Sequence, residues 1–215
     1  MAPRTMVITE PHVTQRLDRA RIVALVAPDT PASAEYAGAA LLGGGISCLE
    51  LAAPDPTLVR AARRVDDLLV GAGNVRTAEQ AELAARAGAH FATSPVTNTE
   101  VIWACRELEL PFFPGAATPS EVERLAQLGV SMVRVFPAMP LGGAAFLSLL
   151  SSVCPEVRLF PSGGVGPEAL RPVLALPAVA AVGVDGLAGA GLVRARSGER
   201  IEWMAREATR ALVRR

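Results

Sequence analysis

Eight short apolar runs, each followed by a longer segment of helical periodicity, constrain this chain more than any other feature. The runs fall at 22–26, 48–51, 68–72, 91–94, 112–114, 132–136, 158–161 and 179–183. Helical patterns follow near 34–42, 57–65, 77–87, 99–108, 120–128, 143–153, 167–174 and 201–213. Strands that are apolar on both faces belong to a parallel sheet covered by helices. Eight such units in 215 residues is the count of an α/β fold of the (β/α)8 TIM-barrel type. The rival, an open doubly wound sheet, favours a glycine fingerprint after the first strand. The sequence there is Val26-Ala27-Pro28-Asp29. Helix entries are marked at Thr77 and at Thr118-Pro119-Ser120-Glu121, and exits by glycine at 43–45, 88 and 129. No linker interrupts the pattern, so one domain over 1–215 is expected. A polar, mobile leader over about 1–20 precedes the first strand, helical around 13–19.

Composition narrows the function classes. Half the chain is hydrophobic and 21 basic residues balance 21 acidic ones, which excludes a disordered chain and gives no electrostatic case for nucleic acid or a membrane surface. The greasiest stretch, 173–192, is broken by Pro177, Asp185 and several glycines, so it reads as a helix and a buried strand. Residues 1–15 lack the apolar core of an export signal. Cys48, Cys105 and Cys154 are scattered and odd in number, which argues against a disulfide framework and for a cytoplasmic protein. Every one of the 21 basic residues is arginine. No side-chain amine is available for imine chemistry.

In such folds chemistry sits at the carboxyl ends of the strands. Those ends carry Ala27, Glu50, Asn74, Ser94, Thr118, Arg134 with Phe136, Ser162-Gly163-Gly164 and Asp185. Glu50, Arg134 and Asp185 are the candidate catalytic groups. Asn74, Ser94, Thr118, Phe136, Ser162, Gly163 and Gly164 are the candidate substrate contacts. His90 starts the fourth strand at the opposite end and reads as structural, and His12 reads as solvated. Glu50, Asp55 and Asp185 offer oxygen ligands of the kind that hold magnesium or manganese. Arg134 among them opposes a dication, so neither metal nor cofactor is expected. Cys48, two residues before Glu50, reads as packing in the lower interior. Trp103 and Trp203 read as core or oligomer contacts on outer helices.

Six motifs then occur in order: Gly44-Gly45-Ile46-Ser47-Cys48-Leu49-Glu50, Val70-Gly71-Ala72-Gly73, Phe91-Ala92-Thr93-Ser94-Pro95, Phe113-Pro114-Gly115, Phe136-Pro137-Ala138 and Phe160-Pro161-Ser162-Gly163-Gly164. Over residues 22–212 the chain resembles the 2-keto-3-deoxy-6-phosphogluconate (KDPG) and 4-hydroxy-2-oxoglutarate aldolase family. The resemblance implies a (β/α)8 homotrimer that cleaves a 2-oxo acid to pyruvate and an aldehyde through a lysine Schiff base, without metal. It also implies that Glu50 is the proton-shuttling acid/base.

The departures bear on function. The resemblance places the Schiff-base lysine at Arg134. A guanidinium has a pKa above roughly 12, so less than about one in 10^5 is neutral at pH 7, and it cannot be the amine nucleophile. The family's carboxylate-binding arginine corresponds to Pro54, its threonine after the G-A-G turn to Asn74, and an arginine ending the first strand to Ala27. Its G-G-S phosphate segment becomes Gly183-Val184-Asp185. Ser162-Gly163-Gly164 resembles a phosphate cradle of backbone N–H groups, and a carboxylate beside it repels a dianion. The expected enzyme is therefore a divergent aldolase-like lyase acting on a small non-phosphorylated oxo acid or carbonyl compound. Glu50 moves the proton, while Arg134 holds a carboxylate or stabilises an enolate oxygen. A guanidinium neighbour favours the ionised carboxylate, which suits a base. The alternative is an inactive family member that binds a ligand or partner, with Glu50 and Arg134 closed into a structural ion pair.

Overall fold

The structure, a computed structural model, describes residues 11–213; leader positions 1–10, with the N-terminal amine, lie outside them. The strands are β1 Ile22–Val26, β2 Cys48–Leu51, β3 Leu69–Ala72, β4 Phe91–Thr93, β5 Phe112–Phe113, β6 Gly115–Ala116, β7 Met132–Val135, β8 Arg158–Pro161 and β9 Val182–Val184. All pair in parallel, in a six-stranded sheet ordered β5-β4-β3-β2-β1-β9 and a three-stranded sheet ordered β6-β7-β8.

The expected fifth strand is thus two short pieces. Pro114 sits between them and has no N–H to give to a ladder. Its carbonyl still accepts Arg134 N–H at 2.9 Å, so the chain at that seam hydrogen-bonds to both sheets. At the other seam Leu159 bridges Val179, with Leu159 N–H on Ala178 O at 2.8 Å and Ala180 N–H on Leu159 O at 2.9 Å. The last strand falls later than expected because only Val182–Val184 reaches β1; Val179 makes an isolated bridge.

The helices are α1 Pro11–Ala20, α2 Pro31–Gly43, α3 Pro56–Ala62, α4 Ala78–Arg86, α5 Thr99–Glu107, α6 Pro119–Gln127, α7 Gly143–Val153, α8 Pro167–Leu174, α9 Ala190–Arg194 and α10 Gly198–Val213. Thr30, Asp55, Thr77, Asn98 and Thr118 each accept a first-turn backbone N–H, which fixes five of the entries. The five-residue α9 has no counterpart in the sequence reading, because it is too short to display a helical period. Among the described residues no helix is long and apolar enough to cross a membrane.

Strand residues alternate between two apolar layers. Ala24, Leu49, Val70, Ala92, Val133 and Leu159 face the helices. Val23, Cys48, Leu69, Phe91, Phe113, Met132 and Phe160 form a second cluster between the sheets. Two residues of α1, Val13 and Leu17, complete it. They lie one turn apart on one helix face, 2% and 1% exposed, and Arg158 pairs with Asp18 at 2.5 Å beside them. The leader's helical part is therefore docked, not mobile. Trp103 and Trp203 are half exposed rather than core, each beneath an arginine: Arg106 at 4.4 Å and Arg200 at 4.2 Å from the ring centroids.

Candidate active site

Moving two residues toward the carboxyl end of each inner strand changes the chemistry of the interior. Cys48 gives way to Glu50, Phe91 to Thr93, Met132 to Arg134 and Phe160 to Ser162. These four polar side chains are all buried, with Glu50 3% and Arg134 5% exposed. Arg134 joins them. Its Nη1 donates to Glu50 Oε1 at 2.5 Å and to Thr93 Oγ1 at 2.6 Å, and its Nε donates to Ser162 Oγ at 2.8 Å. The rings of Phe136 and Phe160 lie 5.9 and 5.8 Å from the guanidinium carbon.

Space for Glu50 and Ser162 comes from missing side chains. A Cβ at Gly73 would stand 2.5 Å from Glu50 Oε1, and one at Gly183 would stand 2.8 Å from Ser162 Cβ. Two valences stay open. Glu50 Oε2 is buried without a hydrogen-bond partner, and Arg134 Nη2 makes no hydrogen bond among the described residues. A buried carboxylate oxygen left without a donor costs about 1–3 kcal/mol or more, so a donor from outside the chain is favoured there.

Of the sequence candidates, Glu50, Arg134 and Ser162 are in direct contact, and Phe136, 37% exposed, stands over them. The glycine turn and Asp185 form a second locus. Gly163 and Gly164 have φ of +92° and +76°, conformations that glycine adopts freely. Gly164 N–H donates to Asp185 Oδ2 at 3.1 Å. The turn is linked to the buried cluster through Ser162.

The remaining candidates are less engaged. Asn74 Nδ2 donates to Ala52 O at 2.6 Å, and Ser94 Oγ accepts Val96 N–H at 3.3 Å. Thr118 is spent on capping α6, with its hydroxyl on Glu121 at 2.9 Å. Asp55 likewise caps α3, accepting the Thr57 hydroxyl and the Thr57 N–H, each at 2.7 Å; these bonds hold its carboxyl below the usual range. Among the described residues no three His, Cys, Asp or Glu side chains gather in a metal-holding group. Sequence reasoning missed Thr93. The alternation that puts Arg134 two beyond Met132 also puts Thr93 two beyond Phe91, and that period was its available signal.

His90 is structural, as expected. Its Nδ1 accepts Val70 N–H at 2.9 Å, and burial together with the nearby Arg63 and Arg16 lowers its pKa to about 4. His12 is exposed. Burial raises the Cys48 thiol to about 11 and Cys105 to about 12, which leaves both as inert packing groups.

Parallel strands walled by helices, with a buried acid and cation at their carboxyl ends, define an α/β protein with a polar cluster at the end of the sheet where such folds carry their sites. The relatives give that class a family. The model of the KDPG and KHG aldolase family matches residues 13–204, and the chain belongs to that family. A 2-dehydro-3-deoxy-phosphogluconate aldolase of Treponema pallidum is 37% identical over 177 residues, 80% of this chain and 83% of its own. One from Haemophilus influenzae is 30% identical over 94% of this chain and 97% of its own. A KDPG aldolase from Legionella pneumophila, solved with pyruvate captured as a covalent carbinolamine, superposes with TM-score 0.83 at 28% identity, covering 90% of this chain and 96% of that one.

Proposed function

We propose that the protein is an aldolase-family lyase that works on a small, non-phosphorylated oxo acid through an enolate, without an imine. The observation that carries this reading is the buried bond between Arg134 Nη1 and Glu50 Oε1, with Glu50 Oε2 unpartnered. The relatives are aldolases, and the Legionella relative holds pyruvate covalently; this chain has no lysine with which to do so. In the proposed mechanism Arg134 Nη2 receives the substrate's carboxylate or carbonyl oxygen and stabilises the charge that develops there. The open oxygen of Glu50 takes the proton from carbon and returns it. Thr93 and Ser162 hold the guanidinium in one orientation. Asp185 supplies a second carboxylate at the rim. Asn74, Ser94, Phe136 and the 162–164 turn contact the substrate, as does Thr118 if α6 releases its cap.

Support for a single closed (β/α)8 barrel comes from hydrogen bonds across both seams of the sheets, at Pro114 and at Leu159. Leu149 and Val153, 69% and 63% exposed on α7, support a homotrimer, since that helix carries no charged residue. Three free, buried cysteines fit a reducing cytoplasm.

A second reading is favoured by one feature of the same bond network. Nη1 and Nε of Arg134 are already satisfied inside the protein, as a structural ion pair in an inactive ligand-binding member requires. Exchange of pyruvate methyl protons in D2O, followed by NMR, separates the two. The enzyme reading expects exchange that falls about 10²–10⁴-fold in Glu50→Gln. Absence of catalysed exchange in the native protein, or equal exchange in the variant, rejects it in favour of the binding module.

A further inference from the structure

Asp185 is the acidic side chain hydrogen-bonded to the glycine turn, and among the described residues it pairs with none of the 21 arginines of the chain. It is exposed. Its Oδ2 accepts Gly164 N–H at 3.1 Å, so a carboxylate of the chain already occupies the donor that the left-handed Gly163-Gly164 turn presents. Oδ1 has no partner among the described residues. The turn that would suit an incoming anion is filled by a resident one, and the group it now offers a ligand is an acceptor with negative charge.

The donor left free at the other end is Arg134 Nη2, on a guanidinium whose Nη1 is bonded to Glu50, the carboxylate with a buried, unpartnered Oε2. The two ends are joined by the chain itself, because Ser162 Oγ accepts Arg134 Nε and Gly164 follows two residues later. Two residues span at most about 7 Å.

We infer that the ligand of this site is a short-chain acid whose far end carries a hydrogen-bond donor, a hydroxyl or an ammonium, received by Asp185. This rests on Arg134 seating the ligand's carboxylate, as proposed above. Asp185 is then a specificity-determining residue that rejects a phosphorylated or carboxylated tail by like charge and selects a donor by a charge-assisted hydrogen bond.

The test is calorimetric titration at low ionic strength with four probes of similar length: butanoate, 4-hydroxybutanoate, 4-aminobutanoate and 3-phosphonopropanoate. The native protein is expected to bind the hydroxy and amino acids at least tenfold more tightly than butanoate, the scale of a hydrogen bond to a charged group, and to bind the phosphonate most weakly. Asp185→Ser opens the Gly164 N–H and is expected to make the phosphonate the tightest of the four. Asp185→Asn keeps an acceptor for Gly164 and should lose the preference for the amino acid alone. Equal binding of the four probes by the native protein, or an unchanged ranking in Asp185→Ser, overturns the inference and leaves the carboxylate seat standing. Binding of none of them overturns that seat and the inference together.

Discussion

The inner faces of the same strands hold two layers one residue pair apart, and they solve opposite problems. Toward the amino ends, Phe91, Phe113 and Phe160 pack ring against ring, with centroids 5.7 and 6.1 Å apart, and α1 seals them from below. Toward the carboxyl ends, Glu50, Thr93, Arg134 and Ser162 replace hydrocarbon with a hydrogen-bonded ion pair. The lower layer is stable because it is dry and close-packed. The upper layer takes two charges out of water and recovers most of the cost only while the pair is intact. Dry packing and the candidate site are therefore built from the same strands but separated along them.

Breaking either layer should be costly in different ways. Phe113→Ala leaves a cavity and should destabilise by about 3–5 kcal/mol in denaturant titration, while the folded fraction keeps its pyruvate exchange rate. Arg134→Met strands Glu50 as a buried charge and should cost a similar ~3–5 kcal/mol, with exchange abolished. Combining Arg134→Met with Glu50→Leu should recover much of that loss, because an apolar pair of similar volume replaces the ions. A double variant as unstable as the sum of its parts would show that the upper layer does not behave as an ion pair.

The sequence made the two layers unequally visible. Charged residues inside apolar strands, Glu50 and Arg134, announced themselves. Thr93 did not, since threonine is an ordinary strand residue and only its alternation with Phe91 marks it. The runs overlap every strand but Gly115–Ala116, and the division of the fifth at Pro114 and the late start of Val182–Val184 depend on which neighbour each segment pairs with, which is tertiary information. Docking of α1 was missed because its apolar contribution is two residues, Val13 and Leu17, in an otherwise polar segment.

Those residues give a smaller and sharper test. Leu17→Ala should cost about 2–4 kcal/mol and leave the upper layer's ligand binding unchanged, since α1 packs at the other end. The acid limb of stability belongs to the lower end as well. His90, with its pKa lowered to about 4 in the folded protein against about 6.5 unfolded, binds fewer protons folded than unfolded between those values. Its contribution is complete above about pH 6.5 and is lost as pH falls toward about 4. Denaturant titrations of His90→Gln should show a shallower fall of stability across that window. Smallest of all, Arg64→Ala, which removes an exposed pair with Glu35 at 3.3 Å, should change stability by no more than about 1 kcal/mol.

On the proposed function, the guanidinium of Arg134 holds the place of an amine in a polar layer that is otherwise ready for one. Borohydride reduction in the presence of pyruvate, followed by peptide mass mapping, tests it in the native protein and in Arg134→Lys. The expected result is no adduct on any internal residue of the native chain and a pyruvate adduct at position 134 in the variant. An internal adduct in the native protein, or a folded variant that forms none, overturns the proposal.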